Sequence, residues 1–219
     1  MGIPVLILGE SGSGKSCSLR NFEADEVGIF NVAGKPLPFR KNLKKVDSSN
    51  YYTILTGLAK GKVKTFVIDD SQYLMAFEMF DRAKETGYNK FTDVALNFRN
   101  LINTVITKLD DDVIVYFLHH TETSDAGKIK AKTSGKMLDN QLTVEGLFSI
   151  VLLCKTDGTR HYFETQSDGF TTVKSPMGLF EEMEIDNDLK AVDMAIREYW
   201  NLNKSKETKK NQKGEKDNK

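Results

Sequence analysis

The stretch that most constrains this chain is Gly9 to Ser16, GESGSGKS, which follows the apolar run Ile3 to Leu8 and precedes a helical segment, Cys17 to Phe22. It matches G-x-x-x-x-G-K-[ST], the P-loop pattern. Glycines let the backbone curl until successive N–H groups point at phosphate oxygens, and a following helix adds its positive end. Gly12 and Gly14 supply that backbone freedom. Lys15 is placed for the β- and γ-phosphates, and Ser16 offers its hydroxyl to magnesium, a hard cation held by few protein groups plus the phosphates. The predicted nucleotide-binding set is therefore Gly9, Glu10, Ser11, Gly12, Ser13, Gly14, Lys15, Ser16 and Cys17, with ATP and Mg²⁺ as the ligands.

A strand before the motif and a helix after it are what the motif requires, so the fold class is α/β. The length, 219 residues, suits one domain with a substantial core. Two cysteines, Cys17 and Cys154, are too few for a disulfide framework and read as reduced, small apolar side chains. No apolar run reaches membrane-spanning length, and Met1 to Ile3 lacks the basic and apolar regions of a signal peptide. A soluble protein of the cytoplasm, without membrane partners, is expected. Formal charge is zero but uneven. From Asn201 to Lys219 seven lysines face three acids, a net of +4, which leaves −4 on residues 1 to 200. Nothing apolar follows Leu202, so residues 201–219 are expected to form a disordered lysine-rich tail after a domain spanning 1–200.

Val27 to Ala33 reads as a second strand, broken by Gly34 to Pro38, and Phe39 to Asn50 as a basic, irregular segment. Tyr51 to Lys60 has helical character. Lys64 to Asp70, KTFVIDD, is an apolar strand ending in two acids, the Walker B arrangement, and a parallel sheet brings such strand ends to one crevice. Asp69 is then a holder of the magnesium ion, together with Ser16. Asp70 either polarises the attacking water or caps the next helix. Helices are predicted for Gln72 to Lys84 and Phe91 to Leu109. Val113 to Leu118 is another buried strand, ending in His119 and His120, which point to opposite faces and so do not share a metal. Of the two, His120 is the candidate to sense the γ-phosphate. Thr123 to Asn140 reads as a mobile basic loop whose Lys128, Lys130, Lys132 and Lys136 suit a nucleic acid backbone. Asp157-Gly158 and Asp168-Gly169 mark tight turns between Leu147 to Lys155, Arg160 to Thr165 and Phe170 to Lys174, a predicted antiparallel meander. An amphipathic helix with Leu189, Val192, Ile196, Tyr199 and Trp200 closes the core.

GESGSGKS, FVIDDS (Phe66 to Ser71), YNKF (Tyr88 to Phe91), FLHHTE (Phe117 to Glu122) and FTTVKSP (Phe170 to Pro176) follow in an order that resembles the RecA-type ATPase core. More closely, the chain resembles the small phage-encoded RecA-core ATPases of the single-strand annealing recombinase group. The resemblance implies a mainly parallel sheet flanked by helices with a C-terminal antiparallel β-meander. It also implies ATP hydrolysis, single-stranded DNA as partner, assembly with itself as ring or filament, a single-strand binding protein as a further partner, and a role in phage DNA recombination or annealing. On that analogy Lys174 reaches a neighbouring subunit's nucleotide, with Arg160 as its rival. RecA itself has a glutamate at the end of the second strand, where this chain has Asn31 and Val32. Other readings are a helicase loader, a packaging-type ATPase, and a nucleotide-gated DNA-binding protein with little turnover.

Overall fold

In the first strand, β1 (Ile3–Gly9), alternate side chains leave the backbone on opposite sides, and every residue from Pro4 to Gly9 is buried. Leu6 and Leu8 enter one apolar cluster while Val5 and Ile7 enter another. Such a strand needs cover on both faces, which sets a three-layer architecture. The computed structural model describes residues 1–134 and 143–202.

The remaining strands are β2 (Val27–Asn31), β3 (Lys45–Asp47), β4 (Thr65–Asp69), β5 (Ile114–Thr123), β6 (Ile129–Ala131), β7 (Ile150–Thr156), β8 (His161–Glu164) and β9 (Glu184–Asp186). They lie in the order β3-β2-β4-β5-β1-β7-β8-β9, with β6 paired to β5. From β3 to β7 all neighbours in that order are parallel, and β8 and β9 continue the sheet antiparallel. The chain is thus mixed α/β with a mostly parallel sheet flanked by helices. Because β5 is inserted between β1 and β4, the ends of those three strands stand side by side. Gly9 is in register with His120.

One face carries α1 (Tyr51–Lys60), α2 (Gln72–Asp81) and α3 (Asn89–Lys108), whose Ile54, Leu58, Leu74, Met75, Val94, Phe98, Leu101 and Val105 pack on Leu6, Leu8, Val115 and Phe117. The other face is covered by α4 (Leu189–Tyr199) through Leu189, Val192 and Ile196, together with Leu19 and Phe22. Asn50 and Asp188 cap α1 and α4 by accepting from Tyr52 and Thr53, and from Lys190 and Ala191.

The structure departs from the sequence expectations at four places. The segment after the P-loop is a 3₁₀ helix of six residues, Ser16–Asn21, so it presents little aligned dipole to a phosphate. Two serines and a cysteine open it. Ser18 Oγ donates back to the Lys15 carbonyl at 2.6 Å instead of leaving that group to a longer helix. The irregular segment contains β3, which pairs with β2 through Ile29, Phe30 and Asn31.

In the segment expected to be a loop, β5 runs on through Thr123 and turns back into β6, pairing Thr121 with Ala131 and Thr123 with Ile129. Thr121, Thr123 and Ile129 are β-branched and favour extended pairing over a loop. Finally, Phe170 to Lys174 is not the third strand of the meander. It splits its backbone between two partners, the Phe170 carbonyl accepting from Ile129 N–H and Lys174 exchanging bonds with Val151. The position beside β8 belongs instead to β9, and β7-β8-β9 is the antiparallel part. Lys136 and the tail from residue 203 onward lie outside the described residues.

Candidate functional site

Gly12 and Gly14 have φ of 83° and 101°, so the loop turns through conformations that side chains resist. At Gly14 space adds a second reason. A methyl there would stand 2.8 Å from His161 Nδ1. The loop closes over Lys15, whose Nζ donates to the carbonyls of Gly9 at 2.7 Å and Glu10 at 2.8 Å. The residue is buried, and burial lowers its pKa from the usual lysine value, an effect partly offset by Asp70 and Asp69.

Fifty-three positions after Ser16, Asp69 ends β4 and accepts from Ser16 Oγ at 2.9 Å. Burial and then the Asp70 charge raise the Asp69 pKa to about 6. Asp70 has a φ of 60°, an uncommon state for a residue with a side chain. It is held from both sides: Lys35 Nζ lies 2.6 Å from Oδ2, and His120 Nε2 donates to Oδ1 at 3.2 Å. Burial alone would raise its pKa, but the bonds from His120 and Lys35 bring it below the usual aspartate value. Asp70 therefore does not act as the helix cap that its position allowed. The residue before α2 is Ser71, whose hydroxyl is within 2.8 Å of His119 Nδ1. His119 turns the other way from His120, fully buried, with Nε2 donating to the Lys132 carbonyl at 2.8 Å.

Of these groups Lys15, Ser16, Lys35, Asp70 and His120 line one cleft of about 210 Å³, completed by Ser11, Gly12, Gly14, Cys17, Pro38 and His161, while Asp69 reaches it through Ser16. Three of its members, Lys35, Pro38 and His161, were not anticipated from the sequence. Lys35 follows β2 in Gly34-Lys35-Pro36, which reads only as a strand breaker. His161 opens β8, and its Nδ1 donates to the Ser13 carbonyl at 2.7 Å. The Asp157-Gly158 turn fixes the β7–β8 register, and that register was the available signal for it.

Other expected site residues lie elsewhere. Lys174 is exposed and bridges to Val151, which is level with Leu6 of β1 and not with Gly9, and it does not line the cleft. Arg160 is held by Asp157 and Glu184 over the Tyr162 ring. Lys128 and Lys132 are exposed at the β5–β6 hairpin, and Lys130 pairs with Glu122 at 2.9 Å. Another cleft, of about 540 Å³, is at the opposite end of the parallel strands. Its Lys64, Lys190 and Arg197 are each already paired, with Asp112, Glu26 and Asp193.

No protein-family model matches the chain, and no curated protein matches it in sequence. Among solved structures, the crystal structure of the pilus retraction motor PilT with bound ADP is similar, with a TM-score of 0.38 and 12% identity over 80% of this chain. The chain spans 48% of that neighbour's length. At that level of likeness it is the cleft's own geometry that carries the functional reading. Among the described residues no helix is long and apolar enough to cross a membrane.

Proposed function

We propose that the chain is a magnesium-dependent P-loop ATPase with a RecA-like core. The observation that carries this reading is the bond between Ser16 and Asp69, which joins the end of the P-loop to the end of an inner strand two places away in the sheet. The two oxygens suit Mg²⁺, a hard cation, and sit beside a lysine already enclosed by the loop. Among the described residues no group of three or more His, Cys, Asp or Glu offers another metal site. Magnesium, when bound with ATP, neutralises charge on the phosphate oxygens. Within the chain, Lys15 binds phosphate, Asp70 polarises the attacking water, and His120 orients Asp70 through its hydrogen bond.

Calorimetric titration with ATP tests the reading. Replacing Lys15 by alanine removes charge-assisted hydrogen bonds worth about 1.5–3 kcal/mol, roughly a ten- to hundredfold loss of affinity. Unchanged affinity would mean that the loop is not the nucleotide site.

The finer reading takes single-stranded DNA as partner, self-assembly, and phage recombination or annealing as the setting. Its support is the resemblance and the exposed Lys128 and Lys132 on the hairpin that leaves β5 beyond His120. Exchange of Lys128, Lys130, Lys132 and Lys136 for alanine weakens single-stranded DNA binding and flattens its salt dependence, because fewer counterions are released. Binding that is indifferent to the exchange removes this part of the proposal. The ATPase reading would then stand without it.

A further inference from the structure

We propose that Lys35 reads the terminal phosphate: it rests on Asp70 when no nucleotide is bound and transfers to the γ-phosphate of a bound nucleoside triphosphate, so that a diphosphate leaves it on Asp70. This rests on the nucleotide-binding reading above and assigns a discriminating residue to the same cleft.

The two partners of the Lys35–Asp70 pair differ in freedom. The Asp70 side chain is 5% exposed and also bonded to His120, whereas that of Lys35 is 61% exposed over the cleft. The lysine is therefore the member that can move. Its backbone is fixed: Gly34 N–H donates to the Asn31 carbonyl at 3.3 Å, Asn31 Nδ2 donates to the Lys35 carbonyl at 2.7 Å, and Pro36 restricts the chain that follows. A fixed tether with a solvent-facing ammonium suits exchange between two anions in one cleft. The ammonium of Lys15 is enclosed by the loop, and Lys15 and Lys35 both line the cleft. Both ammonium groups are therefore available to a nucleotide bound in that one cleft.

A terminal phosphate carries more negative charge than a carboxylate and offers three oxygens. Asp70, moreover, keeps His120 when the lysine leaves. The exchange uncovers one Asp70 oxygen only when a triphosphate is present. Asn31, at the strand end where the resemblance implied an acid, has a different task here, since its amide bonds to the Lys35 carbonyl and to Asp47.

Calorimetric titrations with ADP and with a hydrolysis-resistant imido analogue of ATP, both with Mg²⁺, test this on the full chain, on Lys35→Ala and on Lys35→Arg. Lys35→Ala is expected to lose about tenfold in affinity for the analogue with ADP affinity unchanged, and Lys35→Arg to keep most of it. Asp70→Asn, which frees the lysine, is expected to strengthen analogue binding over ADP, and this gain disappears when Lys35→Ala is added. A merely structural salt bridge would not produce that coupling. Equal losses for both nucleotides, no loss for either, or a gain that survives in the double variant overturns the proposal while leaving the ATPase reading intact. Failure of the unsubstituted chain to bind either nucleotide overturns both.

Discussion

Acidification weakens this fold through His119, and the size of the effect follows from its surroundings. The ring is fully buried between Ser71, the Lys132 carbonyl and Phe98, and burial lowers its pKa from 6.5 to about 4. The folded value lies below the unfolded one, so the contribution is fully present above pH ~6.5, declines as the pH falls, and is gone below about 4. Between those limits it amounts to about 3 kcal/mol, of which about 2 kcal/mol is lost on going from about pH 7.5 to about pH 5. For a domain of this size that lowers the unfolding midpoint by about 4–8 °C. Asp69 acts in the opposite sense, because its raised pKa favours the folded state as the carboxyl takes up its proton. The assay therefore compares thermal unfolding of the unsubstituted chain and His119→Gln across the same pH range, so that the Asp69 effect cancels. The variant should lose less stability on acidification, by about 2 kcal/mol. Parallel curves for the two proteins would refute the argument.

Three further outcomes are expected. Asp69→Asn leaves part of the nucleotide affinity but lowers magnesium-dependent turnover at least about tenfold, equivalent to about 1.4 kcal/mol in the barrier; steady-state phosphate release measures it, and undiminished turnover speaks against the Walker B assignment. Arg197→Met strands Asp193, which Arg197, Thr65 and Tyr116 bond in a buried network, and destabilises by about 3–5 kcal/mol in urea unfolding; a loss under about 1 kcal/mol would mean that Asp193 re-solvates. For the trans role of Lys174, mixed Lys174→Ala and Lys15→Ala proteins regain activity at junctions where an intact P-loop meets an intact Lys174. No rescue in samples that light scattering shows to be co-assembled counts against that role.

By itself the sequence determined the parts of this protein in which local pattern and final environment agree. β1, β4, β5 and β7 are apolar runs covered on both faces, and α1 and α4 carry caps and apolar stripes whose periods match their burial. GESGSGKS could be read because its glycines and lysine act within one short loop. The opposed directions of His119 and His120 followed from strand geometry alone. Only the tertiary structure decided which distant groups meet. Phe170 to Lys174 is rich in β-forming residues, yet strand status depends on a continuous partner, and its two partners are Ile129 and Val151 on different strands. Lys35 and His161 enter the cleft because the ends of β2 and β8 are carried there by the sheet order, which no local pattern encodes. The Asp70 carboxylate leaves the following helix uncapped for the same reason, since a carboxylate before a helix caps it only when no stronger donor lies nearer, and the fold supplies Lys35 and His120.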